Sequence, residues 1–261
     1  KLTLDEARKM AEKKAKQKVK IPAEPKPIED DLLTTDKPPT FEVKDDFDKP
    51  NPKVWELIGK DWEYKDGALH LTKSTRDAAM LRLIKPHPEN FELTCRYTHT
   101  GGTTYKSVTF RFDQSEDGKY ENFVYTSAHA PGPKLHVAYT RNGQQTYPPA
   151  GKVSQPIKIG GTYQLRFAVR HRLINVWLDD EFVVAYKLPD RRPNGSISLS
   201  GFDATVTFDS ITIRSLSDEL KLISPKDSPK PDRNPKHSVE LSEAKLLIAQ
   251  AEMESIEAIF K

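Results

Sequence analysis

The sequence contains a single cysteine, Cys95, among 261 residues, so no disulfide can form within the chain. No apolar run approaches the roughly 20 residues that cross a bilayer. The seven histidines show no metal-ligand spacing such as His-x-x-x-His. A strong charge of one sign is also absent, because 41 basic residues face 38 acidic ones, and no basic patch of the kind that binds nucleic acid stands out. These absences exclude an internal disulfide framework and weigh against membrane-spanning and nucleic-acid-binding proteins.

The N-terminal part of the chain differs from its centre. Charged residues make up 30% of the sequence and the mean hydropathy is −0.68, which places part of the chain outside any core. Residues 1–20 predict a basic helix with a Thr3-x-x-Glu6 capping box and a thin apolar stripe. Such a helix could bind a membrane surface or nucleic acid, but we favour a solvated helix docked by its stripe, because the stripe has few large side chains. Residues 21–40 are proline-rich and predict a linker.

The C-terminal part repeats this organisation. Residues 217–237 are again rich in proline and charge and predict a second linker, and residues 238–261 predict a helix with an apolar stripe. The stripe needs a partner, which could be the N-terminal helix, another protomer or a continuation of the chain, and we favour the last. Because the sequence begins without methionine and ends inside this helix, we expect a piece of a larger protein in which a longer helical region starts here.

The region between the linkers, residues 41–216, has the pattern of β-strands. Within it, Thr162–Leu188 indicates three strands on short turns, because Leu165, Phe167 and Val169 alternate with polar residues and the pattern resumes at Ile174. About a dozen strands fit into the region. That number exceeds a seven-strand immunoglobulin-type sandwich and favours a larger antiparallel jelly roll.

Two turns and one buried position are predicted from local patterns. Asp66-Gly67 and Asn142-Gly143 lie between strand patterns and supply the positive φ angles that tight hairpins need. Cys95 alternates with polar residues in the strand that begins at Phe91, so we expect a buried structural thiol rather than a nucleophile.

Several motifs in this region resemble, in their order and spacing, concanavalin A-like domains. Asp45-Asp-Phe47, Trp55 and Trp62-x-x-x-Asp66-Gly-Ala-Leu69 are similar to the opening strands of such domains. Gly195-x-Ile-x-Leu-x-Gly201 and Val206-Thr-Phe-Asp-Ser-Ile-Thr-Ile213 are similar to their last two strands. Among the superfamily, the sequence resembles laminin G-like domains and the 3-keto-disaccharide hydrolase family.

This resemblance implies an all-β fold, an antiparallel β-sandwich of the jelly-roll, concanavalin A-like kind over residues 41–216, flanked by an N-terminal and a C-terminal helix. The whole is similar to domains in large secreted planctomycete proteins with cytochrome c-like segments, although no Cys-x-x-Cys-His motif occurs in this chain. A secreted or periplasmic location is therefore an expectation of the resemblance, since no signal peptide is visible in the sequence.

Three functions follow from this interpretation. We favour a carbohydrate-binding, lectin-like module of a larger secreted protein, with a glycan as its partner. The alternatives are a hydrolase of the 3-keto-disaccharide type and a structural module that docks through its terminal helices to the parent chain or another subunit. The Glu-x-Asp-x-x-Glu strand of laminarinase-like glycosidases is absent, which disfavours a retaining mechanism of that kind.

The candidate ligand-binding residues are polar side chains expected on the concave sheet face opposite the core, where planar and charged groups could bind a sugar. Such a set could equally be the polar outer face that every sandwich has. If the domain is an enzyme, Asp113 with His129 is the best available acid/base pair. The polar positions of Thr162–Leu188 are further places for a ligand face. The predicted ligand-binding residues are Arg96, Arg111, Asp113, Tyr125 and His129.

A structural calcium ion is the one cofactor that the resemblance suggests. Concanavalin A-like folds often hold calcium near the first and last strands, and Asp46 and Asp209 are the matching acidic positions. Calcium takes six or more oxygen ligands, and two aspartates supply few of them. We therefore consider strand-end hydrogen bonding the better explanation of these two residues.

Overall fold

The computed structural model describes residues 41–228, apart from 75, 77, 78, 131 and 193. These residues belong to one compact unit. The two predicted helices and the predicted linker over residues 21–40 lie outside the described residues. Within the described part, no helix has the length and apolar character needed to cross a membrane.

The described residues form an all-β antiparallel structure, as predicted, with a single 3-10 turn at Pro149–Gly151. Fourteen strands are present in this part of the chain. They are β1 (Glu42–Asp45), β2 (Trp55–Ile58), β3 (Trp62–Lys65), β4 (Ala68–Leu71), β5 (Met80–Leu83), β6 (Phe91–Gln114), β7 (Glu121–Ser127), β8 (Lys134–Arg141), β9 (Gln144–Thr146), β10 (Lys152–Ser154), β11 (Thr162–Arg170), β12 (Leu173–Leu178), β13 (Glu181–Lys187) and β14 (Ser196–Ser215).

Two long strands, β6 and β14, organise the fold because they pair with each other along most of their length. The first part of β6 lies between β11 and the second part of β14. The second part of β6 lies between β7 and the first part of β14. The same two strands therefore run through two layers, and the hydrogen-bonded sheet folds over where they bend.

The pairing defines the two layers. The first sheet has the order β13-β12-β11-β6-β14-β1, with the β3–β4 hairpin joined to β14 at Val206–Phe208. The second sheet has the order β2-β5-β14-β6-β7-β8, with the short strands β9 and β10 on β8. Their facing sides form one apolar core.

Aromatic side chains from the two parts of β6 meet in this core. Phe91 contacts Phe112 edge to face with ring centroids 5.6 Å apart, and Tyr97 packs on Phe110 at 5.3 Å. Cys95 lies in the same row and is completely buried, which confirms the prediction of a structural thiol. Burial raises the pKa of the Cys95 thiol well above its ordinary value, so the thiolate is disfavoured.

The predicted tight turns are confirmed. Asp66 and Gly67 have φ angles of 52° and 71° between β3 and β4, and Asn142 and Gly143 have φ angles of 53° and 77° between β8 and β9. Positive φ at both central residues is the geometry of a type I′ turn, whose twist matches that of the flanking strands. The three strands predicted in Thr162–Leu188 are β11, β12 and β13.

The fold-over point requires a glycine at position 102. Gly102 has a φ angle of 143°, and a Cβ atom there would lie 2.3 Å from the carbonyl oxygen of Asp203. Only glycine accepts both the backbone conformation and the close approach of the second long strand. The bend that creates the two layers is therefore encoded where β6 and β14 cross between them.

The segment that follows β14 packs on the outside of the first sheet. Arg170 donates hydrogen bonds to the carbonyl oxygens of Ser217 and Leu220. The side-chain amide of Asn175 donates to the carbonyl oxygen of Ile223 at 2.8 Å and accepts from its N–H at 2.7 Å. Residues 217–223, at the start of the predicted second linker, thus lie against the domain. They bind the polar side chains of Arg170 in β11 and Asn175 in β12.

Candidate functional site

The candidate site is the side of the second sheet that faces away from the core, called here the outer face. Along β6, Val108, Phe110 and Phe112 point into the core, so Thr109 and Arg111 lie on the opposite side. Cross-strand pairing places residues of the neighbouring strands in the same rows. The outer face comprises Arg82, Thr109, Arg111, Phe123, Tyr125, His136, Ser198 and Ser200.

An ion pair lies at the centre of this face. Arg111 Nε is 3.2 Å from Glu121 Oε2, and the other Glu121 oxygen accepts a hydrogen bond from Thr140 at 2.9 Å. Arg111 also donates to the hydroxyl of Ser200, and Gln114 donates to Glu121 at 3.2 Å. Burial lowers the pKa of the Arg111 guanidinium while the charge of Glu121 opposes this shift. The result is a rigid polar centre in which planar donors and a carboxylate are held by their neighbours.

A surface cavity adjoins this centre. It has a volume of about 740 Å³, and its lining includes Glu56, Arg82, Gln114, Arg192 and Ser196. Gln114 is shared with the ion-pair cluster and accepts a hydrogen bond from Ser198 at 2.9 Å. Among the described residues, Arg82 Nε is a buried donor without a hydrogen-bond partner. One guanidinium donor beside the cavity is therefore not satisfied within the described part of the domain.

Aromatic side chains occupy the other side of the ion pair. Phe123 and Tyr125 lie side by side in β7, and the half-exposed ring of Tyr147 packs edge-on against both, with ring centroids 6.0 and 6.1 Å away. His136 is 5.8 Å from Tyr147, ring centroid to ring centroid. Burial raises the pKa of Tyr147 and of Tyr125, so both phenols stay protonated at neutral pH.

Tyr125 and His136 form a hydrogen-bonded pair within this aromatic group. His136 Nε2 lies 2.9 Å from the carbonyl oxygen of Pro148, so this nitrogen carries the proton. Its Nδ1 is 3.2 Å from the Tyr125 hydroxyl, which can donate to it. Burial lowers the pKa of His136 despite its hydrogen bond to Pro148. The outer face thus presents a neutral imidazole whose lone pair points at a phenol.

Arg111 and Tyr125 lie on the outer face, but Arg96 does not. Arg96 is in the first part of β6, pairs with Gln164 of β11, and its exposed side chain is 3.8 Å from Asp209. The expectation that Arg96 and Arg111 share a face is therefore wrong. The two residues are in one continuous strand, but that strand passes from the first sheet to the second between them.

Asp113 also lies elsewhere than predicted, because β6 contains a bulge. Ser196 pairs with Gln114 and Ser198 with Arg111, so one extra residue is inserted on the β6 side. Asp113 has a φ angle of 56°, and its side chain is completely buried on the core side while Gln114 takes the outer position. The expectation that Asp113 continues the row of Arg111 is wrong for this reason.

The buried carboxylate of Asp113 belongs to a structural network. It forms an ion pair with Arg191 and accepts a hydrogen bond from Asn122. Its own N–H donates to His87 Nε2 at 2.9 Å. Burial alone would raise the pKa of Asp113, but its contacts with His87 and Arg191 outweigh burial and lower it. Asp113 therefore ties the bulge to the segment before β14.

Asp113 and His129 do not come together as an acid/base pair. Ser107 pairs with Ser127 and Phe112 with Asn122, which puts the two residues at opposite ends of the β6–β7 pair. With a rise of about 3.4 Å per residue, their separation is on the order of 20 Å. His129 instead follows β7, where its Nδ1 is 2.8 Å from the carbonyl oxygen of Thr104.

The aspartates considered for calcium do not form a suitable donor set. Asp46 is exposed, and Asp209 is next to the guanidinium of Arg96. Burial raises the pKa of Asp209 although Arg96 counteracts it. The described residues include no group of three or more His, Cys, Asp or Glu placed to hold a metal ion. Two carboxylates, one of them beside a cation, do not fit the six or more oxygens that calcium takes.

Several residues of the outer face were not among the sequence-based candidates. They are Gln114, Glu121, Thr140, Ser198 and Ser200. The position of His136 on this face follows from the sequence pattern, because His136 alternates with the buried Leu135 and Val137. The sequence around Glu121 contains no such signal, because this residue is at the start of a strand next to a turn.

The two layers, the long paired strands and the polar outer face define the class of this protein as a concanavalin A-like β-sandwich. Residues 42–214 match the model of the 3-keto-alpha-glucoside-1,2-lyase-like domain, so the chain belongs to that family. This agrees with the resemblance to 3-keto-disaccharide hydrolases found in the sequence. None of the curated proteins compared with the chain matches it.

Solved structures of low sequence identity share the fold. The carbohydrate-binding module CBM66 from Bacillus subtilis is 17% identical with a TM-score of 0.53, over 62% of this chain and 96% of that one. A β-glucanase from Bacillus licheniformis is 9% identical with a TM-score of 0.55, over 67% and 98%. The exoplasmic/lumenal domain of VIP36, in a form bound to Ca²⁺ and Man3GlcNAc, is 10% identical with a TM-score of 0.50, over 69% and 91%.

Proposed function

We propose that the domain binds a saccharide on the outer face of its second sheet. The observation that carries this proposal is the Arg111–Glu121 pair, which lies between an open cavity and a group of aromatic rings. Sugars are polar at their hydroxyl groups and apolar at their ring faces. A site that combines fixed donors, a carboxylate and aromatic side chains matches both properties.

The chemistry of the individual groups supports this assignment. Arg111 and Gln114 can donate to hydroxyl or ring oxygens, and Glu121 can accept from hydroxyl groups. The neighbouring hydroxyls of Thr140 and Ser200 hold these groups in place, so little side-chain entropy is lost on binding. Tyr147, half exposed above the aromatic group, is the side chain best placed to contact a sugar ring.

Two of the comparisons are consistent with the proposal. The family description refers to an α-glucoside, and the description of CBM66 is that of a carbohydrate-binding module. We extend this to an extracytoplasmic location, as the resemblance implies and as the description of the VIP36 domain also suggests.

Binding is tested with a glycan array followed by calorimetric titration of the strongest ligands. In the variant Arg111→Lys the charge beside Glu121 is kept but the planar fork of donors is lost, and we expect affinity to fall about tenfold or more. The matched control is Arg166→Lys, because Arg166 forms a similar pair with Glu92 at 3.0 Å on the first sheet. This control is expected to bind within about twofold of the unmodified domain.

The proposal fails if no saccharide binds, or if the two lysine variants lose affinity equally. Absence of binding on a broad array would favour the third function considered, a module that docks to other parts of an assembly. Equal losses would indicate that both substitutions act through stability, which thermal unfolding of each variant would reveal.

A second candidate function is the elimination reaction named in the family description. In an α-glucoside oxidised at C3, the ketone acidifies the hydrogen on C2. A base that takes this proton leaves an electron pair that forms a C1–C2 double bond, and the alcohol at C1 departs as its oxygen is protonated. We propose His136 as the base, because it is neutral and its Nδ1 lone pair becomes available when the Tyr125 hydroxyl turns from it to the ligand.

Turnover of 3-keto-α-glucosides tests this candidate by release of the alcohol. We expect His136→Gln to lower the rate about a hundredfold or more. His70→Gln is the matched control, since both ring nitrogens of His70 are also hydrogen bonded, to Lys65 and Thr207, on the first sheet. A rate that is the same in both variants would remove His136 from the mechanism.

A further inference from the structure

A group of exposed aromatic side chains lies at the corner where the two long strands fold over. Tyr105 is 44% exposed and Phe202 is 36% exposed, and their ring centroids are 5.6 Å apart. The ring of His129 is 5.7 Å from Tyr105, and the guanidinium of Arg76 is 5.4 Å from the Tyr105 ring centroid. We call Arg76, Tyr105, His129 and Phe202 the corner cluster. Large apolar rings that remain together in solvent point to a contact surface.

The corner cluster is held rigidly. The carboxylate of Asp203 accepts hydrogen bonds from the N–H groups of Thr104 and Tyr105, at 2.6 and 2.7 Å. The carbonyl oxygen of Tyr105 accepts a hydrogen bond from Ser127 at 2.6 Å. Asp203 itself has a φ angle of 52°, directly after Phe202. The backbone that presents the two rings is therefore fixed before any ligand arrives, which lowers the entropic cost of binding.

The corner cluster lies on the outer face already described. Phe202 pairs with Ser107, two residues before Thr109 on the same side of β6. Along β14 the outer positions run Ser196, Ser198, Ser200 and then Phe202. Ser196 lines the cavity at one end and Phe202 belongs to the corner cluster at the other. Phe202 is six positions after Ser196, which corresponds to roughly 20 Å along a strand.

We propose that the corner cluster is a second contact site for the same saccharide, so that the ligand is an oligosaccharide and not a single sugar or a disaccharide. This inference rests on the proposed function. The distance from the cavity to Phe202 exceeds the length of a disaccharide, and both ends lie on the same face of the second sheet. Exposed aromatic rings at the far end supply the surface on which a further sugar ring stacks. Arg76 supplies donors beside it, and His129 supplies an acceptor at Nε2, because its Nδ1 donates to Thr104.

The test is the affinity of gluco-oligosaccharides of increasing length, α- and β-linked, for the full chain. We expect a hexasaccharide to bind more tightly than a disaccharide. The double variant Tyr105→Ala, Phe202→Ala should lower hexasaccharide affinity about tenfold and leave disaccharide affinity within about twofold. Tyr105→Phe should keep the affinity, because the ring is retained. Trp177→Ala, an aromatic substitution on the outside of the first sheet, is the control and should affect neither ligand.

Two outcomes would overturn the inference while the proposed function stands. One is equal affinity for short and long ligands. The other is a double variant that binds both ligands normally but unfolds at a lower temperature, because the rings would then be covered by another part of the chain. If the unmodified protein binds no saccharide at all, the proposed function and this inference are overturned together.

Discussion

We expect His99 to make the stability of this domain sensitive to acid. Its ring is completely buried, with the rings of Tyr97 and Tyr163 at 5.6 and 5.9 Å. Its Nε2 is 3.1 Å from the hydroxyl oxygen of Thr126, and its Nδ1 has no hydrogen-bond partner among the described residues. Burial lowers the pKa of His99 from 6.5 to about 4, because the core cannot solvate an imidazolium ion.

The direction of the pH effect follows from proton binding. Between pH 6.5 and about 4, the unfolded chain binds a proton at His99 and the folded domain does not. The unfolding free energy therefore rises with pH in this window. The contribution of the neutral His99 side chain is fully present above pH 6.5 and is lost as the pH falls towards 4. At 1.36 kcal/mol for each pKa unit, the shift corresponds to about 3 kcal/mol of unfolding free energy.

The measurement is urea unfolding between pH 7.5 and pH 4 for the unmodified domain and His99→Gln. A glutamine amide can still bond to Thr126 but does not titrate. We expect the difference in unfolding free energy between the two proteins to change by about 3 kcal/mol across this range, in favour of the variant at low pH. Other titrating groups are common to both proteins and cancel in the difference.

His171→Gln is the control, because the side chain of His171 is 75% exposed. Its pH profile should parallel that of the unmodified domain. If the His99→Gln profile is also parallel, His99 does not resist protonation in the folded state, and the reasoning from burial is refuted.

Three further predictions concern polar contacts that hold the fold. Asp203→Asn should lower the unfolding free energy by about 2 kcal/mol in urea titrations, because a neutral amide oxygen accepts more weakly than the carboxylate from the N–H groups of Thr104 and Tyr105; an unchanged value would contradict this. Asn175→Ala should cost about 1–3 kcal/mol and speed hydrogen exchange at Ile223, whereas unaltered exchange would show that the segment is held by other contacts. Arg191→Met should cost about 3–5 kcal/mol at neutral pH because it leaves Asp113 unpaired, and this loss should shrink in acid as the carboxyl is protonated; a loss independent of pH would exclude that cause.

Features that depend on neighbouring residues were predictable from the sequence. The two turns at Asp66-Gly67 and Asn142-Gly143 need positive φ angles, and asparagine, aspartate and glycine supply them whatever the rest of the fold is. Alternation from Phe91 to Tyr97 identified the core side of a strand, because a residue and its second neighbour always share a face.

The candidate site depended on longer-range relations. Gly101 and Gly102 are typical of a turn between two strands, and nothing local indicates that β6 continues through both sheets. Arg96 and Arg111 were therefore assigned to one face although the strand carries them to different layers. Glu121 could be recognised as a site residue only from its contact with Arg111. This contact joins residues of two strands that are connected by a turn.

The class of fold, the hairpins and the buried side of strands that alternate regularly, such as β11, could be predicted from the sequence, because turn chemistry and period-two burial are local properties of the chain. The tertiary structure decided which polar residues share a face. One inserted residue at Asp113 reverses the side on which the following residues lie, and a bend at Gly102 transfers the strand to the second sheet. Both effects depend on the pairing of β6 with β14, whose residues lie far apart in the sequence.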